Sequence, residues 1–482
     1  MAVPAPRVAV VGAGVSGLAA AHRLRTLLGP DARITVLEQR DRTGGVLRTV
    51  DLAGMPYDVG AEAFLARRPE VPRLLGELGL AGAQVHPTPA APSVRAAGRT
   101  VPLPGGTLLG VPTHRSRLDG LLSAAGVAAV AAEPDRPLRW NAGADVALGG
   151  LLRARFGDEL ADRLADPLLG GVYAGRVDAL GLRATVPALA AALDAGARSL
   201  TAAADAATPA PTGESGPVFG ALRGGYRVLL DALAGAAAAE LRLGVTVREL
   251  ARLPHGWRLT LGPANAPEPL DVDAVLLAVP APATARLLAG VAAGPAAAAA
   301  EIELASSVVV ALAYRAADAA TLPPTSGALI ATGEPLAVKG VTHSSTKWAH
   351  LGADGLVRLR ASLGRYGEAG TLQVDDAELV DRVRADLGTL TGITADPVAV
   401  RVQRWGGGLP QYAPGHLDRV DRIERGLPAG LAVAGAALHG VGVPACIGTA
   451  RAAAERLAAQ LDRDGASRDG SMEAWPASTT PS

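Results

Sequence analysis

Arg7-Val-Ala-Val-Val11-Gly12-Ala-Gly14-Val-Ser-Gly17-Leu18, followed by Arg33-Ile-Thr-Val-Leu37-Glu38, is the stretch that decides the fold. The β-branched run before Gly12 reads as a strand buried on both faces. Residues 18–28, rich in Ala and Leu with helical apolar spacing, read as a helix that Gly29-Pro30-Asp31 ends. A second strand then closes on Glu38, twenty-one positions after Gly17. Strand, G-x-G-x-x-G, helix, strand and terminal acid together form a dinucleotide fingerprint. Gly12 allows the tight turn, Gly14 lets backbone approach a pyrophosphate, and Gly17 allows close helix–strand packing. The helix start adds N–H donors and the positive end of a dipole. Glu38 can accept from both ribose hydroxyls and would repel a 2′-phosphate, so FAD or NAD is expected rather than NADP.

Two further features favour FAD. Arg42-Thr-Gly44-Gly45 follows at once and adds a second exposed-backbone pair near the same strand end. Far downstream, Leu431-Ala-Val-Ala-Gly435, then Gly440, Gly442, Val443 and Pro444 before a helix, repeats the strand–glycine–helix device. A ligand gripped by early and late segments is long and buried, as FAD is.

Outward from this core, the chain has 482 residues, enough for two to four domains. Forty-six Lys plus Arg balance forty-six Asp plus Glu, and aromatics are 3%, which excludes a general nucleic-acid binder. Cys446 is the single cysteine, so neither an internal disulfide nor a cysteine metal cluster is available, and no metal site is expected. No unbroken run of eighteen apolar residues occurs, and an intracellular soluble protein is expected. The Ala/Arg-rich composition, with only Lys339 and Lys347 as lysines, reads as a GC-rich bacterial bias. A helix is expected over 69–78, mostly helix over 117–200 with 148–169 the clearest amphipathic piece, and a flexible connection over 201–217. Strands are expected over 242–250, 257–261, 272–279, 306–314, 328–331, 337–343, 356–363 and 431–434. Helices are expected over 226–241, 374–387 and 447–461, and a disordered tail over 465–482.

Glu38-Gln-Arg-Asp-Arg-Thr-Gly-Gly45 and Tyr57-Asp-Val-Gly-Ala-Glu-Ala-Phe-Leu-Ala-Arg-Arg68 resemble the flavin amine-oxidase superfamily. Pro167-Leu-Leu-Gly-Gly-Val-Tyr-Ala-Gly175, Leu222-Arg-Gly-Gly225, Ala278-Val-Pro280, Gln411-Tyr-Ala-Pro-Gly-His416 and Gly442-Val-Pro-Ala-Cys-Ile-Gly448 follow in order. Within the superfamily they resemble the protoporphyrinogen/coproporphyrinogen oxidases, the Val-Tyr-Ala-Gly and Gln-Tyr-x-x-Gly-His pieces most specifically. The resemblance implies a mixed α/β fold in three parts. These are a discontinuous Rossmann-like FAD domain (1–88, 214–286 and 404–464), a mixed-sheet substrate domain (89–110 and 287–403) and a helical, membrane-binding-like domain (111–213).

It also implies non-covalent FAD and removal of hydrogen from a porphyrinogen in haem synthesis, with dioxygen as acceptor and hydrogen peroxide as product. Coproporphyrinogen III is expected over protoporphyrinogen IX. Another flavin amine oxidase, an isoprenoid desaturase and a flavin-free partner protein are the alternatives. A ferrochelatase is the implied partner, in the cytoplasm, with at most weak peripheral contact at the inner face of the membrane.

The FAD contacts implied are Gly12, Gly14, Val15, Ser16, Gly17, Glu38, Gln39, Arg42, Gly44, Gly45, Gly60, Ala61, Glu62, Val247, Trp405, Gly435, Gly442, Val443 and Pro444. Tyr173, Glu62 and His416 are candidates to line the slot, though each also reads as a packed or turn residue. Arg95, Arg99, Gly175 and Lys347 are the substrate candidates. Pro92 and Ser93 stand where many relatives carry a propionate-binding arginine, and Val46 replaces a basic residue after Gly44-Gly45. Cys446 is expected to be a small packing residue.

Overall fold

The structure, a computed structural model, describes residues 5–208 and 216–472. β1 (Arg7–Val11), α1 (Val15–Leu28) and β2 (Arg33–Glu38) form the unit expected from the fingerprint. β1 lies parallel between β2 and Ala274–Leu277; Glu240–Leu243 and Leu431–Val433 complete a five-stranded parallel sheet at its two edges. Val8, Val10, Ile34 and Val36 pack under α1 and the helices Arg227–Ala237 and Val443–Met472, while Ala9, Val11 and Leu37 face the opposite side. There the three-stranded sheet of Val247–Arg252, Trp257–Leu261 and Glu268–Val272 covers them. Burial on both faces is why these strands are uninterrupted apolar runs.

A second sheet has seven strands in the order Ala399–Pro410, Leu304–Arg315, Leu356–Leu363, Val338–Thr342, Gly327–Ile330, Pro92–Ala96 and Arg99–Pro102. Val308, Val310, Leu359 and Ala361 pack on one face against Leu379, Val383 and Leu387 of the helix Asp376–Thr391. On the other face Val309, Ala311 and Ala313 meet Leu52, Tyr57 and Val59, from the hairpin that follows the first glycine loops.

The third unit is helical. It holds a buried Glu133–Arg155 pair, 2.7 Å apart, whose Glu133 carboxylate also accepts from the N–H groups of Leu200 and Thr201.

Several expectations need correction. The stretch 148–169 is not one helix: Gly157, at φ +89°, separates Leu148–Phe156 from a second helical run whose wide turn Ala161–Ala165 leads into Asp166–Tyr173. Residues 201–207 of the expected flexible connection belong to the helix Leu200–Ala207, capped by the Ser199 hydroxyl; 209–215 lie outside the described residues. The final helix continues to Met472, through the start of the expected tail, and 473–482 lie outside the described residues. Residues 272–279 form no single strand, because Asp273 turns away to accept the Arg7 N–H, leaving Glu268–Val272 and Ala274–Leu277 in different sheets. The expected boundaries at 286/287 and 403/404 fall inside the helix Ala281–Leu288 and the strand Ala399–Pro410, so Trp405 stands on the seven-stranded sheet. Among the described residues no helix is long and apolar enough to cross a membrane.

Candidate active site

The glycines of the first loop divide by what surrounds them. A Cβ on Gly12, whose φ is +103°, would stand 2.5 Å from the Ala278 carbonyl oxygen, and one on Gly17 would stand 1.8 Å from the Gly12 oxygen. These two are required by packing. Gly14 has nothing within 4 Å of that position, so packing does not require a glycine there. Gly14 also begins α1 without a side-chain cap, leaving the N–H groups of Val15 and Ser16 free of such an acceptor.

Gly44 donates to the Ala13 carbonyl at 2.8 Å, and a Cβ on Gly45 would lie 3.4 Å from Gly14 Cα. The second glycine pair is therefore laid against the first. Arg42 folds back on its own loop, donating to the carbonyls of Thr43 at 3.0 Å and Gly45 at 2.9 Å. Burial and the neighbouring Arg40 and Arg48 hold its pKa below the usual value.

Glu38 is 8% exposed, and its carboxylate accepts from Ala13 N–H and Arg40 N–H, each at 2.9 Å. The carboxylate thus clamps the loop, while each oxygen keeps a second lone pair for a further donor. Gln39 beside it is exposed, and Val247 is buried at the start of the strand that follows the sheet edge.

The late segment arrives at the same place. Gly435 ends the strand Leu431–Val433, and a Cβ there would lie 3.7 Å from the Ser16 hydroxyl. Gly442 is exposed, Val443 and Pro444 start the last helix, and Val443 shares a core with Val15. Cys446 is buried behind them, its thiol pushed up to about 11 by burial, which makes it inert. Two helix starts thus meet at the carboxyl ends of parallel strands, where open α/β sheets bind ligands.

Beyond the glycines, Gly60 is pressed against Val46, whose carbonyl oxygen a Cβ would meet at 2.0 Å. Ala61 beside it is half-buried. Arg360 donates to the Gly60 carbonyl at 2.8 Å and stands 3.5 Å from Glu62. Lys347 lies 3.1 Å from Glu62, and the Trp348 indole N–H also donates to it. Burial opposes charge on Glu62, but Lys347, Arg360 and the indole outweigh it and hold the carboxyl below its usual range. Trp405 donates to the Val59 carbonyl at 2.9 Å, behind the same loop.

The two most specific motifs touch. The Gln411 amide donates to the Tyr173 carbonyl at 2.8 Å, and a Cβ on Gly175 would strike Gln411 Oε1 at 2.5 Å. Tyr173 is buried, which pushes its hydroxyl up to about 12, and its ring stands 5.5 Å from that of Tyr412. His416 is fully buried, stacked on Tyr412 at 3.8 Å, with Nε2 against the Leu438 carbonyl at 2.9 Å. Burial takes its pKa down to about 4, so it lines no open slot and packs the core as a neutral ring.

The substrate candidates do not form one cluster. Arg95 is paired with Glu334 at 3.3 Å, exposed Arg99 reaches the Gly120 carbonyl at 3.4 Å, Gly175 abuts Gln411, and Lys347 is bound to Glu62. Sequence reasoning missed Arg360 and Trp348. The signal for Arg360 was a strand, Leu356–Leu363, in which Arg358 and Arg360 alternate with residues that face the core.

Val46 and Val172 are apolar yet 44% and 45% exposed, each beside a glycine loop. Backbone donors at two helix starts, open space over Gly14 and bare apolar side chains fit an extended dinucleotide with a flat ring system. Among the described residues no group of acids, histidines and cysteine is placed to hold a metal.

Comparison with known proteins agrees with this fold. The model of the flavin containing amine oxidoreductases matches residues 15–458. The chain is 47% identical over 453 residues to a coproporphyrinogen III oxidase of Mycobacterium tuberculosis, covering 94% of this chain and 97% of that one. A provisionally named protoporphyrinogen oxidase from Exiguobacterium sp. 255-15 superposes with a TM-score of 0.81 at 29% identity, over 95% of this chain and 99% of the other. Cyclohexylamine oxidase from Brevibacterium oxydans shares the fold, with a TM-score of 0.70 at 16% identity over 95% of this chain and all of the other. FAD is accordingly the cofactor, and the chain belongs to the flavin-containing amine oxidoreductase family.

Proposed function

We propose that this protein oxidises coproporphyrinogen III to coproporphyrin III in haem synthesis. The observation that carries the reading is the 47% identity to a coproporphyrinogen III oxidase across nearly the whole of both chains. Contact between the Gln411 and Tyr173 motifs, the pieces most specific to porphyrinogen oxidases in the sequence, supports it.

Gly12, Gly14, Val15, Ser16 and Gly17 would hold the FAD pyrophosphate, with Glu38 and Gln39 towards the ribose and Val247 towards the adenine. Gly44, Gly45, Gly60, Ala61, Glu62, Gly435, Gly442, Val443 and Pro444 would hold the remainder, with Arg42 and Trp405 keeping those loops in place. FAD supplies the electron acceptor for three successive two-electron oxidations, with dioxygen as terminal acceptor and hydrogen peroxide as its product. The chain's own groups supply shape and charge. Lys347 and Arg360 keep Glu62 ionised beside the Gly60 loop, Val46 and Val172 offer apolar walls that exclude water, and Gln411 sets the position of the Tyr173 loop. Little acid–base machinery is needed, in keeping with a neutral, buried His416.

The same reading places the protein in the cytoplasm with at most weak contact to the inner face of the membrane, and passes the product to a ferrochelatase. The test is fluorescence-monitored turnover of coproporphyrinogen III against protoporphyrinogen IX, with an amine substrate as control. Faster turnover of coproporphyrinogen III is expected. Flavin bleaching by the amine but by neither porphyrinogen overturns the reading.

A further inference from the structure

A cavity of about 150 Å³ opens where the end of the helix Asp166–Tyr173 meets the seven-stranded sheet, and Lys339, Arg365, Arg176, Glu368 and Glu334 are among its lining residues. Four of these five charged groups already have partners. Arg176 is 2.6 Å from Glu368, Arg365 is 2.7 Å from Asp166, and Glu334 is held by Arg95 at 3.3 Å and by the Gly98 N–H at 3.1 Å. Lys339 is the exception: among the described residues it makes neither a hydrogen bond nor an ion pair. Burial lowers its amine to about 8, with Arg365 adding repulsion and Glu368 offsetting part of it. Glu334 and Glu368 share the cavity but are engaged by Arg95 and Arg176, so the half-buried Lys339 amine is left without a carboxylate in contact and can take an anion.

The backbone aims this side chain deliberately. Register against Leu356–Leu363 shifts between Val338 and Gly340, which makes Lys339 the extra residue of a β-bulge. Bulges re-aim single side chains and recur beside active sites. Next to it the floor of the sheet is small: a Cβ on Gly340 would meet Leu329 and the Ser362 hydroxyl, and one on Gly171 would meet the same Leu329. Gly171 precedes the exposed Val172, and Ser362 stands two residues from Arg360, which grips the Gly60 loop. Gly340 pairs with Ser362 and Thr342 with Arg360, so the bulge that carries Lys339 adjoins the stretch of sheet that carries Arg360. The cavity cannot contain a macrocycle, since pockets for whole drug-sized molecules run to about 300–1,000 Å³. It has room for a short arm ending in a carboxylate.

We propose that Lys339 binds one propionate carboxylate of the tetrapyrrole in this cavity. The inference rests on the reading of the substrate given above, and it gives the propionates a partner that Arg95, tied to Glu334, does not.

The test uses FAD-loaded enzyme and fluorescence titration with coproporphyrin III and with its tetramethyl ester, which keeps the ring but has no carboxylate. Lys339→Met is expected to weaken the tetra-acid about 10–100-fold, the worth of a charge-assisted hydrogen bond. The ester should bind wild type and variant within twofold of each other. Lys339→Arg should recover much of the tetra-acid affinity, and KM for coproporphyrinogen III should rise in Lys339→Met while kcat stays within about threefold. Tetra-acid affinity unchanged in Lys339→Met, or equal loss for acid and ester, overturns this site while leaving the substrate reading standing. Wild-type enzyme that neither binds coproporphyrin III nor oxidises its porphyrinogen overturns both.

Discussion

Glu62 and Lys347, far apart in the chain, meet at 3.1 Å, and Arg360 holds the other carboxylate oxygen of Glu62 at 3.5 Å. One buried acid therefore serves two cations. Removing the acid takes the counter-charge from both cations, leaving Arg360 only the Gly60 and Asp58 carbonyls, whereas removing Lys347 leaves Glu62 its Arg360 and its Trp348 N–H. Glu62→Gln should cost about 3 kcal/mol of stability, and Lys347→Met clearly less. Urea unfolding of the two variants checks the order, and equal or reversed costs would refute it.

The glycines of the first loop should separate folding from cofactor binding. Gly17→Ala drives a Cβ to 1.8 Å from a backbone oxygen and should yield little folded protein. Gly14→Ala meets nothing within 4 Å, so the apoprotein should melt close to wild type while FAD is held at least tenfold more weakly. Thermal melts of the apoproteins and FAD titration measure both halves.

Asp58 should make stability depend on pH. Burial pushes its carboxyl up to about 7, against the hydrogen bonds it accepts from Thr49 and Tyr226. Because the folded value lies above the unfolded one, its stabilising contribution is full below about pH 4 and falls away as pH rises through about 7. Asp58→Asn cannot ionise. Its melting temperature relative to wild type should therefore improve between pH 5 and pH 8; a constant difference would remove Asp58 from the account.

Cys446, with its thiol at about 11 and out of solvent, should resist alkylation in the native holoenzyme at pH 8. Reaction should become fast only in denaturant. Mass spectrometry after a timed iodoacetamide pulse reads the difference.

The parts legible in the sequence are those whose causes are local. β1, α1 and β2 were readable because a doubly buried strand and its glycine turn write their requirements within a few neighbours. The strand Leu356–Leu363 was read to the residue for a related reason: core-facing residues alternate along it with Arg358 and Arg360. What failed depended on distant partners. Asp273 divides two strands because it answers Arg7, 266 positions away. His416 looks like a reactive group until Tyr412 is seen lying flat on it. Arg95 looks like an anion binder until Glu334 is seen occupying it. The placement of Lys339, one of only two lysines, was not legible, since it comes from a shift in strand register.

The central position of β1 has a consequence for biosynthesis. Its neighbour on one side, Ala274–Leu277, leaves the ribosome long after β1 itself, and the edge strand Leu431–Val433 later still. At translation speeds of roughly 5–20 residues per second, one side of β1 waits unpaired for roughly 10–50 s. A nascent chain in that state presents an apolar strand edge to anything nearby. Early chaperone capture would shield that edge until Ala274–Leu277 arrives to pair with it.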